Sequence, residues 1–161
     1  MTYPTRCVKL PAFDLVGFTQ IVQSGGALYE AARSDGRWEV LRSVGGADGT
    51  IYGVASYDKE CPEGSYRYTL AVKARVDDFA GSGRHDELFS MRIPESDWVV
   101  FVLDHFGAQY GKFWEDDPYA LIQELGWSFN AKVGLHLDAF GPAYSSDDDA
   151  MEFLMPVSPR A

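Results

Sequence analysis

Residues 135–140 read Leu-His-Leu-Asp-Ala-Phe, and three of them have the types and spacing to do chemistry. In a strand successive side chains point to opposite faces, so Leu135, Leu137 and Ala139 share one face and His136, Asp138 and Phe140 share the other. A carboxylate beside aromatic rings can hold an organic cation, with cation–π attraction worth about 0.5–2 kcal/mol per ring. An acid in a partly dry cleft also favours a charged guest over a neutral one. His136 and Asp138 together are equally the raw material of acid–base catalysis. A purely structural reading also stands, in which the two pair with each other or with water at a sheet rim.

Other chemistry-bearing residues are scattered. Trp98 lies in a strand-like run with Val100 and Leu103, where a buried packing role competes with a place in a pocket wall. Trp114, beside Phe113 and Tyr110, precedes a helix signal, and aromatics there are placed to cover a cleft. Tyr66 and Tyr68 share one strand face, and either hydroxyl can reach inward. Trp38 sits on a helical apolar stripe and reads as packing, and Glu152 reads as structural or solvated. His105 reads as a hydrogen-bonded histidine at a strand end. "GSGRHDE" (81–87) lacks the strand-then-helix setting of a phosphate loop. "SSDDD" (145–149) lacks the spacing and closing Glu of a calcium loop and reads as a solvated turn. No Ser or Cys sits in a recognisable nucleophile turn. Cys7 and Cys61 stand alone, without zinc-ligand spacing, and are expected to stay reduced. No metal or other cofactor is expected.

The elements that position these residues repeat. Pro11, Asp14, Val16 and Phe18 recur as Pro94, Asp97, Val99 and Phe101, each 83 positions later. The same offset moves "IYGVASYD" (51–58) onto "GLHLDAFG" (134–141) and "YTLAV" (68–72) onto "MEFLM" (151–155). Candidate strands cover about 6–21, 50–58, 65–77, 88–104, 133–141 and 150–157, and each of the two long ones can break into a pair. "SDGRWEVLRSVGG" offers an Asp35 cap, a stripe at Trp38, Leu41 and Val44, and a Gly-Gly stop. "DDPYALIQELG" offers an Asp117 cap, Pro118 at the first helical position, Leu121, Ile122 and Leu125 inside, and Gly126 after. The lead-ins "GALYEAARS" and "QYGKFWED" have helical character too.

Each half thus reads as strands, helix, then two strands. The predicted fold is α+β: two pseudo-symmetric halves, approximately 1–80 and 84–161, forming a curved, mostly antiparallel sheet with two main helices and a central cleft in one domain. Shifted back by the repeat, His136, Asp138 and Phe140 become Gly53, Ala55 and Tyr57. A solvent face favours Lys, Glu, Thr or Ser there. Small residues that leave space, rings that give walls and one acid instead compose an inward-facing cage along the seam between halves.

The totals narrow the classes. Of 161 residues, 46% are apolar and 14% aromatic, ample for a core. With 14 basic against 24 acidic residues the net charge is -10, which argues against direct nucleic-acid binding. No apolar run reaches membrane-span length and the start lacks a signal-peptide layout, so a cytoplasmic protein with no membrane partner is expected.

"VKLPAFDLVGF", "IYGVASYD", "MRIPESDWVVFVLDHFG", "LHLDAF" and "MEFLMPV", in that order, resemble the GyrI-like effector-binding family. It comprises the gyrase-inhibitory protein, the drug-sensing domains of some multidrug-responsive regulators and the C-terminal domains of certain AraC-type activators. The resemblance covers nearly the whole chain. It implies an acid in a cavity between the halves that neutralises lipophilic cationic compounds while aromatics stack on them, and it places Asp138 in that role. Two residues depart from the pattern: Asp138 stands where the family has glutamate, and Phe140 where it has tyrosine, removing a phenol. The leading expectation is a stand-alone binding module for lipophilic, cationic small molecules, with no DNA-reading domain of its own. Its ligand-binding set is Asp138, Phe140, His136, Tyr57, Trp98, Trp114, Tyr68, Gly53 and Ala55. One alternative, implied by the resemblance, is hydrolysis of strained cyclopropane-bearing compounds in the same pocket. Another is a protein-interaction role like gyrase inhibition, with an unknown partner.

Overall fold

Proline splits both long strands, because it has no N–H to give a sheet ladder. Strands β1 (Thr5–Leu10) and β2 (Phe13–Val22) flank Pro11, and β5 (Phe89–Ile93) and β6 (Ser96–Leu103) flank Pro94. The computed structural model describes residues 3–57 and 59–160. Asp58, the last residue of the "IYGVASYD" segment, lies outside the described residues, as do Met1, Thr2 and Ala161.

The lead-in segments are helical, so each half carries two α-helices where one main helix was expected. Helices α1 (Gly25–Asp35) and α2 (Arg37–Val44) are divided by Gly36, whose φ of 92° breaks the helix in the left-handed region that glycine enters freely. Asp35 ends α1 rather than capping α2 directly; its carboxylate accepts the Arg37 N–H at 3.1 Å, one residue past the boundary. In the second half α3 (Phe106–Glu115) and α4 (Pro118–Glu124) are divided at Asp117, which takes a φ of 62° and accepts the Tyr119 N–H at 3.1 Å with Pro118 at the first helical position. Trp38, Leu41 and Ile122 face the core as their spacing predicts. Leu125 does not: the helix ends one residue earlier, and its side chain is 49% exposed.

The remaining strands are β3 (Ile51–Ser56), β4 (Tyr66–Val72), β7 (Trp127–Phe129), β8 (Leu135–Phe140) and β9 (Met151–Pro159). Residues Val76–Phe79, the end of the expected 65–77 strand, turn instead into a short 3₁₀ helix. The sheet is curved, open and antiparallel, with strand order β1-β6-β9-β8-β3-β4-β2-β5, and β7 pairs with β9 off this path. Read from either end, that order places each strand opposite its repeat counterpart, with β3 and β8 paired at the centre. Two apolar clusters lie on its two faces. The helices cover one face, over Phe18, Leu70, Phe101, Phe113 and Phe153 among others. The other face encloses Leu15, Val54, Ile93, Trp98, Val100 and Leu137, and among the described residues no helix contributes to it.

Candidate functional site

The central strand β8 is buried along its full length, so neither of its faces meets bulk water. Alternation sends Leu135, Leu137 and Ala139 into the helix-free cluster, and His136, Asp138 and Phe140 under the helices. A cavity of about 480 Å³ lies there. Its floor is Ala55, Tyr68, His136, Asp138 and Phe140 from the central strands. One wall is α3, where Phe106, Tyr110 and Trp114 recur every fourth residue and so stand on one helix face. The other wall is Tyr29 and Glu30 of α1 with Gln23, Ser24 and Gly26 before and within its first turn. Tyr57, Tyr66 and Asp147 complete the rim.

Asp138, 3% exposed, is the charged centre of this floor. Tyr68 donates its phenol hydrogen to Asp138 Oδ2 at 2.7 Å, and Tyr110 reaches Oδ1 and Oδ2 at 3.1 and 3.3 Å. No lysine or arginine forms an ion pair with it among the described residues. Burial disfavours the ionised carboxyl and pushes its pKa up to about 6, against the smaller downward pull of the two phenols. The same burial, with the acid alongside, raises both phenols well above their ordinary range, so they stay protonated donors. Tyr68 and Tyr110 are thus the phenol donors at this carboxylate, and Phe140 contributes none.

His136 does not pair with Asp138. Its ring lies between Trp114, at 5.3 Å between centroids, and Phe153, at 5.0 Å. Its Nδ1 is buried without a hydrogen-bond partner among the described residues. Burial lowers its pKa to about 4, so the imidazole is neutral at physiological pH. The two side chains are therefore not hydrogen-bonded to each other, and neither lies at an exposed rim.

Of the sequence-predicted set, Asp138, His136, Phe140, Ala55, Tyr68, Tyr57 and Trp114 converge on the cavity. Phe140 is fully buried against Tyr29, Trp38, Phe106 and Tyr144 and is floor as much as core. Tyr57 is 63% exposed and stacks on Tyr66 at the rim. Trp98 is on the wrong side. Phe153 pairs across the sheet with both Asp138 and Phe101, so Phe101 shares the cavity face, and Trp98, an odd number of residues away, faces the opposite cluster. Gly53 is not empty space for a ligand either. A Cβ there would stand 1.9 Å from the Tyr68 hydroxyl, so the glycine is what lets that phenol cross β3 to Asp138.

Tyr29, Glu30, Phe106 and Asp147 were missed; the fourth-residue spacing of Phe106, Tyr110 and Trp114 was the readable signal for one wall. Tyr29 donates to Asp147 at 2.8 Å and lies 2.7 Å from the Tyr144 hydroxyl, fastening α1 to the β8–β9 loop. Other candidates are structural. Glu152 accepts both Arg6 nitrogens, His105 Nδ1 lies 2.8 Å from the Asp148 carbonyl, and Asp149 accepts the Ser145 and Ser146 N–H groups within the acidic turn.

No family model matches the chain, and no curated protein matches it in sequence. Solved structures do match it. SAV2435, bound to tetraphenylphosphonium, superposes with a TM-score of 0.71 at 16% identity over 98% of this chain and 94% of that one. The EcmrR C-terminal domain gives 0.59 at 13% identity over 99% of both chains. A hydrolase from Listeria innocua gives 0.57 at 11% identity over 97% of this chain and 92% of that one. At such identities the likeness establishes architecture, and proteins of this architecture are not confined to one activity. Element order, pseudo-symmetry and these likenesses agree that the chain has the GyrI-like fold.

Proposed function

We propose that this protein binds lipophilic organic cations in the cavity between α1 and α3, with Asp138 meeting the charge. The observation that carries the reading is a buried carboxylate with no cationic partner among the described residues, on the floor of an aromatic cavity of about 480 Å³. A lone buried carboxylate is costly to keep ionised, so a site that retains one gains most from a guest that brings positive charge without water. Tyr68 and Tyr110 already occupy the carboxylate with hydrogen bonds. At Asp138 the guest is therefore held mainly through charge, with the surrounding ring faces adding cation–π contact. The tetraphenylphosphonium bound by SAV2435, a protein of the same fold, is a guest of this kind.

The test is titration of tetraphenylphosphonium and a fluorescent rhodamine cation into the protein and its Asp138→Asn variant, with a neutral analogue of similar size alongside. Wild type binds the cations in preference to the neutral compound, and the variant loses that preference while remaining folded. Absence of binding to any hydrophobic cation at micromolar protein overturns the reading. Following product formation from cyclopropane-bearing electrophiles in the same samples tests turnover.

A further inference from the structure

We infer that His136 is a second, uncharged anchor of this cavity, selecting lipophilic cations that also carry a hydroxyl group. The inference rests on the cation-binding reading and names the guest more closely.

His136 lines the cavity and is 5% exposed, yet its Nδ1 has no partner. A buried polar atom without a hydrogen bond costs free energy that a correctly placed ligand group recovers. The neighbouring polar groups are satisfied: Asp138 on the floor takes two phenols, from Tyr68 beside it and from Tyr110 on the α3 wall. His136 Nδ1 is left without a partner among the described residues and is sealed from the cavity in the unliganded chain. Its ring is confined by Phe153, which is fully buried, and by Trp114, which is partly exposed and itself lines the cavity. For a ligand to reach the imidazole, Trp114 is the ring that must give way, since it alone of the two flanking rings is partly exposed to the cavity.

The neutral imidazole carries one N–H and one lone pair. A carbonyl on the ligand suits only the first at Nδ1, and an ammonium only the second. A hydroxyl donates or accepts and so suits either tautomer. His136 and Asp138 are two residues apart on one strand face, which separates them by about 7 Å. The preferred guest therefore places its hydroxyl roughly one aromatic ring away from its cationic centre.

The experiment compares tetraphenylphosphonium with its mono-4-hydroxyphenyl analogue by calorimetric titration into wild type, His136→Phe and His136→Asn. The quantity read is the ratio of the two affinities within each protein, which cancels any general loosening of the pocket. Wild type is expected to favour the hydroxyl analogue about tenfold, the yield of one hydrogen bond to an orphaned buried group. In His136→Phe the ratio falls to about one, and in His136→Asn, which keeps a polar atom near the Nδ1 position, it recovers. Equal affinities in wild type, or a preference that survives His136→Phe, overturn the anchor and leave the cation pocket standing. Binding of neither phosphonium overturns both readings together.

Discussion

Replacing Asp138 with asparagine is expected to make the unliganded protein more stable at neutral pH while removing its preference for cations. Asp138 is held at a pKa of about 6 against a reference of 3.8, with burial the dominant cause. That difference of about 2 pH units corresponds to about 3 kcal/mol at ~1.4 kcal/mol per unit. The sign follows from proton counting. Between pH 3.8 and about 6 the folded protein holds the Asp138 proton and the unfolded chain has released it. The stability Asp138 contributes is thus fully present below 3.8 and lost as pH rises through about 6. Asparagine keeps an oxygen to accept from Tyr68 and Tyr110 and has no charge to bury. Urea unfolding of both proteins at pH 4 and at pH 7.5 isolates the effect, since contributions common to both cancel. The variant's advantage should grow by about 3 kcal/mol between the two pH values, or roughly 6–12 °C in midpoint temperature for a chain this size. A gap that does not change with pH, or a variant less stable at pH 7.5 than at pH 4 relative to wild type, refutes the claim that Asp138 is an uncompensated buried charge.

Cation affinity should itself follow the ionisation of Asp138, weakening about tenfold per pH unit below about 6 and levelling above it, with no such slope in Asp138→Asn. Tyr110→Phe removes one phenol from the carboxylate and should move that inflection to higher pH, read from the same titrations. Gly53→Ala drives a methyl into the Tyr68 hydroxyl and should cost about 1–3 kcal/mol of stability by urea unfolding, weakening cation binding as the Tyr68–Asp138 bond is lost. His136, lowered to about 4, acts in the opposite sense to Asp138: its contribution is lost as pH falls from 6.5 through about 4, and His136→Phe should flatten that acid limb. Trp98→Phe, on the far face, should leave cation affinity within about twofold of wild type, whatever it does to the unfolding midpoint.

Local rules in the chain carried much of this. Period-two alternation put His136, Asp138 and Phe140 on one face, because in an unbulged strand residues two apart share a side. The 83-residue offset was equally legible and gave two halves built alike, while the palindromic strand order with β3 and β8 at the centre emerged only in the folded chain. Proline breaks and the Asp117–Pro118 helix start were readable because they depend on a missing N–H and a fixed φ within a few residues. What the chain did not declare was which remote side chains meet at Asp138. Tyr68 and Tyr110 stand 70 and 28 positions away and arrive only through strand register and the docking of α3. Gly53 looked like vacant floor until the Tyr68 phenol was seen lying over it, and Trp98 looked like a wall until its cross-strand partners placed it on the other face. Capping, breaking and alternation are properties of neighbours in sequence. A buried carboxylate with two phenols and no cation, beside a histidine with no partner at Nδ1, is a property of neighbours in space, and only the folded chain decides those.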